Sequence, residues 1–175
     1  MMKYFSGFSL QGEENFFTDI LIDTDMCIAG FSYGAQKALE YAFASKERID
    51  RLILISPAFF QTQKSSFMRA QLKYFEADKK SYTDQFLKNA AYPSSIDLCS
   101  YLHLGSKEEL GMLLNYVWDQ RKIQALLDKG IVIEVFLGSE DKIIDANAAL
   151  MFFAPLVTTY FVKGAGHLLA RRDKT

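Results

Sequence analysis

Gly30-Phe31-Ser32-Tyr33-Gly34 sets a serine between two glycines at the end of an apolar run. The G-x-S-x-G spacing lets a strand turn abruptly into a helix, so that the serine hydroxyl is presented at a strained corner. The plain alternative is a small residue in a tight turn. A hydroxyl is a poor nucleophile at neutral pH and needs a base, and the chain offers two histidines, His103 and His167. His167 follows Val-Lys-Gly-Ala-Gly, just after a β-branched and aromatic stretch, where a sheet-end loop could bring it to Ser32. His103, in Ser-Tyr-Leu-His-Leu-Gly-Ser, reads as a surface or lid residue. An imidazole acting as base requires a carboxylate to fix its tautomer and stabilise its charge. Phe-Leu-Gly-Ser-Glu-Asp-Lys-Ile-Ile-Asp, residues 136–145, supplies Glu140, Asp141 and Asp145. Asp141 is expected to be the acid because it lies on the loop leaving a strand; Glu140 would point differently and Asp145 would fall on the next helix.

The tetrahedral oxyanion formed when such a serine attacks an ester needs two hydrogen-bond donors. The first is the amide after the nucleophile, Tyr33 N–H. The second is expected from Ser6-Gly7-Phe8, a glycine-containing loop after the first strand, through Phe8 N–H. A plain turn is the alternative there.

These residues require strands to carry them. Residues 2–6 read as a short strand, 13–21 as a helix, and Met26-Cys-Ile-Ala-Gly30 as an apolar strand running into the serine. Ala35, Ala38, Leu39, Ala42 and Phe43 recur at helical spacing, which places a helix just after Ser32. Residues 51–57 form an apolar strand stopped by Pro57, and 131–138 another, entered through Lys129-Gly130. A helix over 146–156, up to Pro155, and a strand over 158–163 complete the alternation. Residues 61–130 interrupt it with two helical patterns, 66–75 and 107–130, and read as a helical lid or insertion over one end of the sheet. The expectation is one α/β domain over 1–175: about five strands, all parallel, with helices on the faces, the first and last strands at the edges. The order Ser32, Asp141, His167 is the serine, acid, histidine order of α/β-hydrolases, and the expectation is a shortened version of that fold, without the usual two strands before the oxyanion loop and the one after it. In many α/β-hydrolases the oxyanion loop begins His-Gly; here Ser6 takes the place of the histidine, which leaves the backbone donor intact.

Composition narrows the function classes. With 175 residues, half of them hydrophobic, the chain can bury one sizeable core. A net charge of −1 provides no general basic field for nucleic acid, and no run of eighteen apolar residues could span a membrane. The N-terminus carries no signal-peptide core, so a soluble, cytoplasmic protein is expected. Cys27 and Cys99 fit neither a disulfide framework nor a multi-cysteine metal site. No metal or other cofactor is implied.

Tyr-Phe-Ser-Gly-Phe-Ser near the N-terminus, the elbow segment Gly-Phe-Ser-Tyr-Gly-Ala-Gln-Lys-Ala-Leu-Glu-Tyr-Ala, the acid loop Ile-Glu-Val-Phe-Leu-Gly-Ser-Glu-Asp-Lys-Ile, and Phe-Phe-Ala-Pro-Leu leading to His-Leu-Leu together resemble the small BioV-type pimeloyl-acyl carrier protein methyl ester esterases of biotin precursor synthesis. The resemblance implies hydrolysis of the methyl ester of pimeloyl-acyl carrier protein, with Ser32 as nucleophile, His167 as base and Asp141 as orienting acid. It also implies an acidic carrier protein as partner. Between residues 61 and 90, Lys64, Arg69, Lys73, Lys79, Lys80 and Lys88 outnumber Glu76, Asp78 and Asp84, a local net of +3 against −4 elsewhere. Arg69, Lys73, Lys79 and Lys80 are the expected docking residues; a solvated helix face explains the same charges. Phe8, Phe59, Phe60 and Phe67 are candidate walls of an acyl pocket, with ordinary core packing as the alternative. A thioesterase or general short-chain carboxylesterase would use the same three side chains. A catalytically inactive binding module would not need them.

Overall fold

The computed structural model describes residues 1–173, so the last two of the expected 1–175 domain lie outside the described residues. Five strands, β1 (Lys3–Phe5), β2 (Cys27–Phe31), β3 (Arg51–Ile55), β4 (Val132–Gly138) and β5 (Thr158–Val162), lie in the sheet in chain order, and each pairing is parallel. The alternation of apolar residues divides the core between the two faces, as the period of two along a strand requires. Ile28, Leu52, Leu54, Ile133 and Val135 point to one side and pack with α1 (Tyr33–Ala44), α5 (Gln120–Asp128) and α6 (Ala146–Phe153). Cys27, Ala29, Phe31, Ile53 and Ile55 point to the other, where Phe17, Leu87, Ala90, Leu98 and Leu168 cover them. β2 and β3 are therefore apolar on both faces, which is why they read as continuous hydrophobic runs, whereas β4 turns Val132, Glu134 and Phe136 to a partly exposed face.

The helix expected over 13–21 is a single 3₁₀ turn, Glu13–Phe17, entered through Gly12 at φ 83°. Its Phe17 ring packs against Phe31 with centroids 5.1 Å apart, and its Glu13 side chain turns inward. The insertion holds more helices than its two sequence patterns suggest. α2 (Ser65–Ala77) and α3 (Lys79–Ala91) meet at Asp78, whose carboxylate accepts from Ser81 N–H and starts α3. The polar sequence at the start of α3 hides its helical period. α4 (Lys107–Asn115) opens with a reciprocal cap between Ser106 and Glu109.

The pattern over 107–130 is not one helix. It breaks at Tyr116–Trp118 because the Trp118 indole is buried and donates to the Ala58 carbonyl at 2.9 Å, while Asp119 caps α5 through Arg121 N–H. α5 packs on α1 beside the sheet, whereas α2 packs on α3 and α4. The part of the insertion standing over the sheet end is thus α2 to α4. Among the described residues, no helix is long and apolar enough to cross a membrane.

Candidate active site

Ser32 is the single residue between β2 and α1, at φ 54° and ψ −115°. A side chain held in that region carries strain of about 1–3 kcal/mol, sustained only by surroundings that leave no other path. The surroundings here are backbone. A Cβ on Gly30 would lie 2.2 Å from Gly34 O, and one on Gly34 would lie 1.9 Å from Phe5 O. The Ser32 N–H donates to Ile55 O and its carbonyl accepts from Ala58 N–H, so β3 and the segment after it clamp the corner from the far side. The flanking glycines are thus the only residues that let β1, β2 and α1 converge on the serine.

His167 comes to the same point on a tight turn after β5. Ser139 N–H donates to Val162 O and Glu140 N–H to Ala165 O, which stitches the loop after β4 to the loop after β5. A Cβ on Gly138 would collide with Gly166 O at 2.2 Å. The buried Ser56 hydroxyl donates to His167 O at 2.6 Å, and the Phe31 ring packs on the imidazole with centroids 4.9 Å apart. The ring lies with Nε2 2.9 Å from Ser32 Oγ and Nδ1 2.5 Å from Asp141 Oδ2. The other Asp141 oxygen accepts from Ile143 N–H at 2.7 Å and Ile144 N–H at 3.0 Å, which fixes the carboxylate plane. The His167 and Asp141 side chains are fully shielded from solvent. Glu140 is exposed and Asp145 caps α6 through Ala148 N–H, so neither takes the position against the imidazole.

Phe8 and Tyr33, the residues named for the oxyanion donors, are both buried beside the serine, and no acceptor among the described residues takes either backbone N–H. Above Ser32 opens a cavity of about 880 Å³, within the range of small-molecule sites. Phe8, Phe60, Phe67, Leu110 and Leu114 give it an apolar interior, and exposed Gln63, Tyr74, Asp78 and Ser81 lie toward its rim. Phe60 and Phe67 stack at 6.1 Å. Phe59 does not line the cavity: it is buried against Phe152 and Phe153, so its role is core packing rather than an acyl wall. That outcome follows from alternation along the segment after β3, which turns Phe59 and Phe60 to opposite sides.

Arg69 and Lys73 are exposed one turn apart on α2, and Lys79 and Lys80 are exposed in the first turn of α3. Lys80 pairs with Asp84 at 2.8 Å. His103 is exposed on the loop before α4 and lies by a smaller cleft on the other side of the Phe8 loop. Ser56 and Glu13 are two buried polar residues near the site that spacing did not single out. The Ser-Pro at the end of an apolar strand was the only local signal for the first, and Glu13 gave none. Among the described residues, no group of three or more histidine, cysteine or acidic side chains could hold a metal ion.

No protein-family model matches the sequence, and neither does any curated protein. Solved structures do. MenH from S. aureus is similar over 95% of this chain and 85% of its own, with a TM-score of 0.60 and 15% identity. BioG from Haemophilus influenzae is similar over 95% of this chain and 88% of its own, with a TM-score of 0.56 and 13% identity. Naproxen esterase, carboxylesterase NP, from Bacillus subtilis is similar over 82% of this chain but only 53% of its own, with a TM-score of 0.54 and 18% identity. The chain spans little more than half the length of several such esterases. At these identities the likeness establishes the fold, which is that of the α/β-hydrolases.

Proposed function

We propose that the protein is a serine carboxylesterase in which Ser32 is the nucleophile, His167 the general base and acid, and Asp141 the carboxylate that orients it. The observation that carries this reading is the single imidazole bonded to both Ser32 Oγ and Asp141 Oδ2 at the floor of a cavity. Asp141 leaves the Nδ1 proton no other direction, so Nε2 faces the serine with its lone pair free to accept a proton. Ser32 Oγ attacks the ester carbonyl carbon as its proton passes to Nε2, and the carbonyl oxygen gathers charge between the Phe8 and Tyr33 N–H groups. Collapse expels the alcohol, which takes the proton from Nε2. A water deprotonated by the same nitrogen then attacks the acyl-enzyme and releases the acid and Ser32.

The substrate in this reading is pimeloyl-acyl carrier protein methyl ester, and the released alcohol is methanol. Three features support it: the sequence resemblance, an aromatic and aliphatic cavity interior suited to an acyl chain, and four exposed cations on α2 and α3 beside the cavity rim. BioG from Haemophilus influenzae, which shares the fold over nearly the whole chain, is a natural comparison for such assays. Incubation with acyl-carrier-protein methyl esters of graded length, followed by mass spectrometry, is expected to show loss of the methyl group peaking at the pimeloyl length. Equal kcat/KM on a free short-chain methyl ester would replace this reading with a general carboxylesterase. A fluorophosphonate is expected to label the wild type and not Ser32→Ala, which should retain less than about one part in 10⁴ of kcat. Absence of labelling in both would refute the enzyme.

A further inference from the structure

Glu13 is fully buried beneath the loop that precedes the cavity. Its Oε1 accepts from Gly7 N–H at 2.7 Å and from the Tyr4 hydroxyl at 3.3 Å, while Oε2 has no partner among the described residues. Burial pushes the carboxyl up from its usual range, against the pull of Gly7 N–H and the Tyr4 hydroxyl, and burial likewise pushes up the Tyr4 phenol, which stays a donor. A buried carboxyl with an unpaired oxygen weakens the fold, so its place here calls for a role that outweighs the cost. What its Oε1 holds is the Ser6–Gly7 peptide, the plane before the one that carries Phe8 N–H.

We propose that Glu13 is a positioning residue for the oxyanion site: by holding the Ser6–Gly7 peptide it anchors the Gly7 Cα from which the next peptide, carrying Phe8 N–H, is aimed at the oxygen formed above Ser32. The proposal rests on the esterase reading of Ser32 and concerns a residue that the serine, histidine and acid do not touch. Gly7 N–H is tied inward to Glu13, and the Gly7 carbonyl accepts from Leu10 N–H at 3.3 Å. In a trans peptide the C=O and the following N–H point in opposite directions, so fixing the Gly7 carbonyl aims Phe8 N–H the other way. Gly7 cannot shift sideways, because even a Cβ there would lie 2.9 Å from the Phe31 ring. The Phe8 side chain is locked from above by Phe75 and Phe86, with ring centroids at 6.1 and 5.8 Å. Of these restraints the Glu13 bond is the one supplied by a removable side-chain acceptor. It supplies the internal hydrogen bond of a loop that begins Ser-Gly.

The test compares Glu13→Gln, which keeps an acceptor for Gly7, with Glu13→Leu, which does not, using a p-nitrophenyl ester and the rate of fluorophosphonate labelling. Glu13→Gln is expected to stay within about threefold of wild-type kcat; Glu13→Leu is expected to lose about 30-fold or more in kcat and labelling rate, with KM within about threefold, as befits a misaimed transition-state donor. Wild-type kcat in Glu13→Leu, an equal fall in both variants, or a change confined to KM would overturn the proposal. Hydrogen exchange of the wild-type protein decides the matter if Glu13→Leu does not fold: Gly7 N–H should be protected and Phe8 N–H exchange freely, and an unprotected Gly7 overturns the proposal. A wild type that neither hydrolyses esters nor labels would refute the esterase reading, a result distinct from any of these.

Discussion

At the elbow a Cβ on Gly34 would sit 1.9 Å from the Phe5 carbonyl oxygen, whereas at the lid a Cβ on Gly111 of α4 would meet nothing closer than a Leu72 methyl group at 3.9 Å. The first region is built by main chain approaching main chain, with Ser32 N–H bonded to Ile55 O and Ser56 N–H to Phe136 O. The second is built by side chains, with Phe75 of α2 and Phe86 of α3 against Phe8 and Phe67 of α2 against Phe60, on helices that touch one another more than the sheet. Main-chain contacts fix atoms to a fraction of an ångström and tolerate no substitution. Side-chain contacts can repack. Ser32, Asp141 and His167 sit on the rigid side of the cavity, and the groups proposed to recognise an acyl chain and its carrier on the adaptable side.

Among changes that leave the serine in place, the largest effect should come from Asp141→Asn. The Asp141 oxygen that accepts from Ile143 and Ile144 would remain an oxygen, which leaves the new NH₂ facing His167 Nδ1. Nδ1 must then accept, Nε2 carries the proton, and the base can no longer take the proton from Ser32. A fall of about 10⁴-fold in kcat is expected with an unchanged melting profile. A fall of less than tenfold would mean that Asp141 only packs the loop.

Gly34→Ala comes next and probes the elbow as a scaffold. Its methyl group meets the Phe5 and Ser6 carbonyl oxygens, so β1 and the oxyanion loop must move away. A stability loss above about 4 kcal/mol, read by urea denaturation, is expected. A loss below about 1 kcal/mol would show that the elbow is as adaptable as the lid.

On the lid, replacing Arg69, Lys73, Lys79 and Lys80 together by Ala should lower kcat/KM for carrier-bound ester about three- to tenfold and leave a p-nitrophenyl ester unaffected. Added salt should slow wild type more than the variant, because exposed charges are screened beyond about 8 Å at physiological ionic strength. Equal salt dependence would remove docking from these residues. Loss of both activities would assign them to holding α2 and α3 in place through their long stems. The smallest effect belongs to Gly111→Ala, which should stabilise the protein by about 0.5–1 kcal/mol through helix propensity, with activity unchanged. A destabilisation there would erase the contrast with Gly34.

Much of the elbow side was legible in the residues themselves. Gly30, Ser32 and Gly34 prescribe their own turn, short apolar runs at 26–30, 51–57 and 131–138 between turn signals read as strands, and the serine, acid, histidine order follows from where strands end. Such signals are local, because backbone geometry is set by neighbours in sequence. The lid was less legible: α3 hides behind a polar first turn, and one helical pattern over 107–130 gave two helices because Trp118 found a buried acceptor, Ala58 O, sixty residues away. Phe59 and Phe60 are identical in type and adjacent, yet one joins Phe153 in the core and the other faces the cavity. Glu13, an ordinary acidic residue among polar neighbours, becomes a buried ligand of Gly7 N–H only when the 3₁₀ turn folds beneath the loop. The sequence by itself determined the strands, the corner and the three reactive residue types, since each is a matter of period, chirality or ionisable group. While the choice of Asp141 among the three acids already followed from its place just past a strand, tertiary structure alone decided which phenylalanine faces the cavity and which buried acid accepts from Gly7 N–H. Those outcomes depend on distances between segments far apart in the chain, and no pattern along the chain encodes a distance across it.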